Sequence, residues 1–209
     1  MSSLLLDNLL VSRETLEHLE HYETLVKRWS KSINLISTAS VNTMWSRHIL
    51  DSAQLYLNLP QKCRVWLDLG SGAGFPGLVI SVLAKQFYPP LHVYLVESDK
   101  RKSVFLKTVI RELLLDATVI NDRIESADVP KADVVSARAL TSLTGLLAYA
   151  YPHIKEGGSC LFLKGKNWEK EVIEAQKKWS FNLKINNSIT QKGAVTLELG
   201  GISRERSRR

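Results

Sequence analysis

Four glycines fall within eight positions in the segment Asp68-Leu69-Gly70-Ser71-Gly72-Ala73-Gly74-Phe75-Pro76-Gly77, directly after the β-rich run Val65-Trp66-Leu67. Glycine reaches positive φ without steric cost and lets a ligand approach the backbone where a Cβ would otherwise stand. Pro76 has its φ preset for the first turn of the apolar helical run that follows. A strand, a glycine turn and a helix in that order make a loop for a ligand. Gly72-x-Gly74-x-x-Gly77 satisfies the dinucleotide fingerprint, while Asp68-x-Gly70-x-Gly72-x-Gly74 has the form of the first motif of S-adenosylmethionine-binding enzymes. The register separates the two. If Gly70 directly follows the strand, the nucleotide pattern needs glycine at position 75, where Phe75 stands. A pyrophosphate is also less welcome beside Asp68, whereas a sulfonium cation and an amino group gain from that carboxylate. Methyl transfer is therefore the expected chemistry, with Asp68, Gly70, Gly72 and Gly74 at the cofactor. A nicotinamide-dependent oxidoreductase on the same sheet is the alternative.

Glu97 closes the next β-rich run, 97 − 74 = 23 positions after Gly74, near the roughly 20-residue spacing at which an acid meets ribose hydroxyls in such folds. Capping of the following helix is its alternative role. Arg138 follows a later strand, at the end where open α/β sheets place ligands. Its guanidinium suits bidentate capture of the cofactor carboxylate or an RNA phosphate, which makes it the candidate catalytic, positioning residue; an ion pair with Glu125 or Glu97 is the structural alternative. Arg123 is a further candidate for RNA. Lys164, Lys166 and Trp168 combine charge with an aromatic face, suited to phosphate contact and base stacking. Arg47 and His48 are candidates for the same cleft.

These residues need a frame. At 209 residues the chain has room for one α/β domain with a small extension. Apolar positions Leu16, Leu19, Tyr22, Val26 and Trp29 recur at helical spacing, and a polar segment at 30–42 leads to a second helical stretch at 45–57. From Val65 onward strands alternate with helices, which predicts a parallel sheet. The strands are placed at 65–69, 92–97, 118–121, 133–136 and 159–164, and the helices at 77–86, 100–115, 140–151 and 168–179. The alternating run 194–199 reads as a late strand, the antiparallel edge that mixed sheets often carry. The expected fold is thus α/β, a Rossmann-like class I methyltransferase sheet, mostly parallel with an antiparallel edge. An N-terminal helical extension (1–60) precedes it, the cofactor-binding domain spans 61–202, and a mobile basic tail (203–209) follows.

The net charge of +7 favours an anionic partner, since clustered Lys and Arg release condensed counterions from phosphates. The apolar run at 4–11 is broken by Asp7 and Asn8 and lacks a leader's basic segment. No stretch approaches the roughly 20 apolar residues of a membrane-spanning helix. Two cysteines, Cys63 and Cys160, are too few for a disulfide framework and lack metal-ligand spacing. A cytoplasmic monomer, with no metal and no membrane partner, is expected.

Arg47-His48-Ile49-Leu50-Asp51-Ser52, the loop 68–77, Val96-Glu97-Ser98 with Lys102 and Phe105-Leu106, Ser136-Ala137-Arg138-Ala139 and Lys164-Gly165-Lys166 occur in that order. Together they closely resemble the bacterial small-subunit ribosomal RNA guanine-N7 methyltransferases, a family also called glucose-inhibited division protein B. The resemblance spans about positions 34–166. It implies cofactor contacts at Gly70 and Phe75, at Ile124 and Glu125, and at Arg138, with Glu97 on the ribose. It also implies a substrate, a guanine in the decoding-region loop of 16S ribosomal RNA, free or in the small subunit. Guanine N7 offers an in-plane lone pair, so no general base is demanded and positioning dominates. Carbon-5 methylation needs a cysteine nucleophile, and neither cysteine follows a proline. Exocyclic amine methylation goes with an Asn/Asp-Pro-Pro-aromatic turn, where this chain has Ser136-Ala137-Arg138-Ala139. A methyltransferase acting on another RNA, a protein or a small molecule is the runner-up, and a non-enzymatic RNA-binding module has no need of the loop and Glu97 together.

Overall fold

The computed structural model describes residues 10–205. Most of the apolar run at 4–11 and positions 206–209 of the expected tail lie outside the described residues. Helix α1 (Arg13–Trp29) starts where Ser12 Oγ accepts from the Thr15 amide at 3.1 Å, and it carries Glu14 in its first turn and Lys27 and Arg28 in its last, the order that the helix dipole favours. It buries Thr15, Leu19, Tyr22, Leu25 and Val26. Leu16, expected on that stripe, is instead 36% exposed. The spacing 15-19-22-26 is the helical period, and Leu16 sits about 100° round from it.

The stretch expected as one helix at 45–57 is helical but broken. A 3₁₀ turn (Thr38–Thr43) leads into a π-type turn (Trp45–Leu50), a short α turn (Asp51–Ala53) and a second 3₁₀ turn (Gln54–Asn58). Wide π-type turns recur at functional sites, and this one carries Arg47 and His48.

Then come β1 (Val65–Leu69), α2 (Gly77–Phe87), β2 (His92–Val96), α3 (Lys100–Leu113), β3 (Ala117–Ile120), β4 (Ala132–Arg138), α4 (Leu143–Ala150), β5 (Ile154–Lys164), α5 (Trp168–Gln176), β6 (Trp179–Asn187) and β7 (Val195–Arg204). They form one sheet in the order β3-β2-β1-β4-β5-β7-β6. β1 to β5 pair in parallel, and β7 runs antiparallel between β5 and β6. The order reverses between β1 and β4, and in open α/β sheets ligands settle beyond the strand ends at that point.

Three expectations at the C-terminal end are corrected. The late strand is antiparallel, but the edge is β6, in a region where helix 168–179 was expected to run to its last residue; α5 ends at Gln176 and Trp179 opens the strand. β7 also runs past 199 to Arg204, pairing Ser203 with Ser180 and Arg204 with Trp179. Ser203 to Glu205 are therefore no free tail: the Arg204 guanidinium stacks 5.2 Å above the Trp179 ring, and the Glu205 amide donates to the Lys178 carbonyl at 3.0 Å.

Successive strand residues face opposite sides of the sheet, and two cores result. Trp66, Val93, Leu95 and Val134 pack with Leu19 and Tyr22 of α1, Leu78 of α2 and Phe105 of α3. Leu67, Leu69, Val135 and Phe162 pack with Leu143 and Leu147 of α4 and Val172 of α5. The N-terminal helices thus complete a layer of the sheet's own core. Among the described residues, no helix is long and apolar enough to cross a membrane.

Candidate functional site

Beyond the ends of β1, β2 and β4 lies a cleft of about 330 Å³, lined by Gly70, Gly72, Glu97, Lys102, Ile124 and Arg138 among others. The glycine turn forms its floor. Gly72 has φ +57, and a Cβ there would meet only the Gly70 carbonyl oxygen, at an ordinary 3.8 Å, so backbone conformation and not crowding demands glycine there. At Gly77 the demand is proximity, because a Cβ would lie 2.5 Å from Leu95 Cδ2 and 2.9 Å from Asp68 Cβ. Gly74 is braced from outside: Tyr22 Oη of α1 donates to the neighbouring Ala73 carbonyl at 2.5 Å.

Glu97 is 7% exposed. Its Oε2 accepts from the Gly72 amide at 2.8 Å and its Oε1 from the Asp99 amide at 2.7 Å. The end of β2 is thereby tied to the glycine turn, with a carboxylate on the cleft wall. Helix capping falls to Asp99, whose Oδ1 accepts from the amides of Arg101 and Lys102 at 2.8 and 3.2 Å. Ile124 is half-buried on the cleft wall, and Glu125 and Arg123 line it as exposed side chains.

Asp68 corrects the expectation of direct cofactor contact. It is fully buried beneath the turn, with Oδ1 accepting from Ser136 Oγ at 2.7 Å and Oδ2 from the Gly77 amide at 3.3 Å. Ser136 Oγ in turn accepts from Trp66 Nε1 at 2.8 Å. Burial pushes the carboxyl up to about 6, against the lowering effect of the Ser136, Ser71 and Gly77 hydrogen bonds. Asp68 fixes the turn against β4 and α2, and its carboxylate is used by the fold.

Phe75, 6% exposed, packs its ring against Tyr22 at 5.2 Å and His48 at 5.0 Å. It lines a second recess with Leu35, Ile36 and His48. Burial first, then the charges of Arg138 and Arg47, lower the His48 pKa to about 3. The imidazole is neutral near pH 7, so the cation that a phosphate contact would want is missing there.

Arg138 lines the cleft, the second recess and a third one on the β5 side. Its Nη2 donates to the Arg47 carbonyl at 2.8 Å, and its Nη1 stands 3.9 Å from Asp51 Oδ2. The carboxylate beside it is Asp51, and not Glu125 or Glu97, the partners of the structural alternative. Burial lowers the Arg138 pKa and Asp51 opposes that shift. Lys164, expected at RNA, is spent on an ion pair: its Nζ lies 2.6 Å from Glu171 Oε2 and donates to the Thr141 carbonyl at 3.1 Å, with 9% of the side chain exposed. Lys166 is exposed beside Gly193, Arg47 is exposed, and Trp168 is half-buried. Both cysteines are buried. Burial pushes the Cys63 thiol up to about 12 and the Cys160 thiol up as well, which leaves no thiolate for covalent chemistry.

Sequence reasoning missed Tyr22 and Ser136 as supports of the turn and Asp51 as the partner of Arg138. Asp51 and Ser136 left a signal, as members of the stretches Arg47–Ser52 and Ser136–Ala139.

A sheet in this order, with a glycine turn after β1 and an acid at the end of β2, defines a class I S-adenosylmethionine-dependent methyltransferase. The cleft fits that cofactor: backbone at Gly72, the Glu97 carboxylate, and Val96 and Ile124 for a purine face all line it. A SAM-dependent methyltransferase from Aquifex aeolicus shares the fold, with TM-score 0.60 and 15% identity over 78% of this chain and 98% of that one. A methyltransferase from Pyrococcus furiosus does so with TM-score 0.55 and 15% identity, over 72% of this chain and 81% of that one. The family model described as rRNA small subunit methyltransferase G matches residues 15–199. Proteins named ribosomal RNA small subunit methyltransferase G are similar over nearly the whole length. That of Ruegeria pomeroyi is 47% identical, covering 93% of this chain and 95% of its own, and that of Cereibacter sphaeroides is 46% identical, covering 97% and 98%. The chain belongs to the rRNA small subunit methyltransferase G family, and its cofactor is S-adenosylmethionine.

Proposed function

We propose that this protein methylates N7 of a guanine in the decoding-region loop of 16S ribosomal RNA. The observation that carries the reading is the position of Arg138 at the end of β4, shared by the cofactor cleft and the two recesses beside it. An acceptor base in either recess lies next to the cofactor, with a cation between them. Family membership supports small-subunit ribosomal RNA as the substrate, and the net charge of +7 suits a polyanion.

S-adenosylmethionine supplies an electrophilic methyl group on a sulfonium. The protein's part is to hold and orient. Gly70 and Gly72 bring the turn's backbone to the cleft wall, and Glu97 offers a carboxylate to ribose hydroxyls. Phe75, Tyr22 and His48 form a packed aromatic wall beside the turn, which excludes water. Guanine N7 carries a free lone pair and no proton to remove, so two buried, protonated thiols and a neutral His48 are no handicap. Holding the reactants in line is worth roughly 7–11 kcal/mol in favourable cases. Cytoplasmic location and a monomeric state complete the reading, in keeping with the substrate and the two reduced cysteines.

Incubation with radiolabelled S-adenosylmethionine and small subunits lacking the modification tests it. Label in 16S RNA is expected, and its absence from free RNA and subunits alike overturns the reading.

A further inference from the structure

Between the ends of β4 and β5 and the β6–β7 turn lies the third recess, of about 200 Å³, lined by Asp51, Lys164, Glu171 and Gln191 among others. Arg138 and Ala139 line both this recess and the cofactor cleft. On its wall Asp51 Oδ2 and Arg138 Nη1 face each other, neither of them in a hydrogen bond. Asp51 Oδ1 accepts from Gln54 Nε2 at 2.8 Å, Ser188 Oγ at 3.1 Å and Thr190 Oγ1 at 2.6 Å. Arg138 Nη2 is taken by the Arg47 carbonyl. Asp51 Oδ2 and the innermost guanidinium nitrogen, Arg138 Nη1, stand 3.9 Å apart, too far for a hydrogen bond. Nη1 is buried with no hydrogen-bond partner, and a buried donor left unmade is costly.

We infer that Arg138 Nη1 and Asp51 Oδ2 read the O6 and N1–H edge of the acceptor guanine, making Asp51 a specificity-determining residue. A donor and an acceptor held side by side, and too far apart to satisfy each other, match a ligand edge that presents an acceptor beside a donor. Guanine has that edge, since O6 accepts and N1–H donates. Adenine reverses it: its N6 amine would meet the guanidinium and its N1 lone pair the carboxylate, so both contacts become repulsive. Guanine O6 is also the neighbour of N7 on one side of the purine. Anchoring O6 on Arg138 therefore sets N7 toward the wall that Arg138 shares with the cofactor cleft. The inference rests on the N7 reading above and adds the means of choosing the base.

The test uses 16S RNA ligated to carry either guanine or 2-aminopurine at the acceptor position; 2-aminopurine keeps N7 but lacks O6 and N1–H. The wild-type protein is expected to methylate the guanine RNA about 100-fold more efficiently in kcat/KM, the loss that unpaired charged groups impose. Asp51→Asn replaces Oδ2 with an amide donor. It is expected to lower the guanine rate at least about 10-fold and to shrink the preference to a few-fold, with affinity for S-adenosylhomocysteine unchanged. Ser188→Ala loosens the same turn and leaves Oδ2 in place, so the preference is expected to survive. Equal wild-type rates on the two RNAs overturn the inference without any variant. A full preference in Asp51→Asn overturns it too, as does loss of preference in Ser188→Ala, which would make Asp51 a support for the turn. A wild-type protein that transfers no methyl group to N7 of the guanine RNA overturns the N7 reading itself.

Discussion

Tyr22 and Ala73, 51 positions apart, are joined by a hydrogen bond of 2.5 Å from the phenol to the backbone carbonyl. Through it the first helix grips the turn that carries the cofactor. Tyr22→Phe keeps the ring against Phe75 and removes only the hydroxyl. An unsatisfied buried carbonyl costs about 1–2 kcal/mol, so a Tm lower by about 2–8 °C is expected in thermal denaturation. S-adenosylhomocysteine should also bind a few-fold more weakly. An unchanged Tm and affinity would mean that α1 does not brace the turn.

Glu97 joins β2 to the same turn, with Gly72 and Asp99 amides on its two oxygens. Glu97→Gln keeps the shape, turns one acceptor into a donor and removes the charge. Charge-assisted hydrogen bonds are about twice as strong as neutral ones, so a loss of about 10-fold or more in affinity for S-adenosylhomocysteine is expected, measured by calorimetry. Wild-type affinity in this variant would remove Glu97 from the site.

Gly72 and Gly77 demand glycine for different reasons, and their variants should fail differently. Gly72→Val forces a branched side chain to φ +57, which displaces the turn and should abolish cofactor binding. Gly77→Ala puts a Cβ 2.5 Å from Leu95, so α2 must move off the sheet. Overpacking of this kind costs about 1–3 kcal/mol, readable in urea denaturation. Normal cofactor affinity in Gly72→Val would show the turn to be only a turn.

Asp68 and His48 give folding stability opposite pH slopes. Asp68 is raised from 3.8 to about 6. Between those values the folded chain binds a proton that the unfolded chain has shed, so this contribution to stability falls as pH rises. His48 is lowered from 6.5 to about 3. There the unfolded chain holds the extra proton, so stability is fully present above pH 6.5 and is lost as pH falls. His48→Gln should remove the second slope, so that stability at about pH 7.5 minus stability at about pH 5 becomes more negative, or less positive, by about 1 kcal/mol, after allowance for solvent screening. Urea titrations at the two pH values check this, and an unchanged difference would place His48 in water.

Much of the frame was legible because β1 to β4 are short, largely apolar runs that alternate with helical ones, and because turn chemistry marks the strand-to-helix junction at Gly70. β6 was legible too and went unread: Trp179, Phe181, Leu183 and Ile185 alternate with Ser180, Asn182 and Lys184. The broken helix around Arg47 to Asn58 is a different matter. Its turns are set by contacts such as those from Asp51 to Ser188 and Thr190, which lie 137 and 139 positions away. The partners of Arg138 and Lys164 were hidden for the same reason, since the residues that neutralise them come from other elements. Glycine spacing and the acid at Glu97 are properties of one βαβ unit, and there the sequence was sufficient.

The chemical identity of the product bears most directly on the proposed activity. Small-subunit RNA methylated by the protein is digested to nucleosides and resolved by mass spectrometry against authentic methylguanosines. 7-Methylguanosine from a single position in the decoding-region loop is the expected result. A methyl group on N1, N2, a ribose hydroxyl or a pyrimidine carbon would contradict it, whatever the rate of transfer.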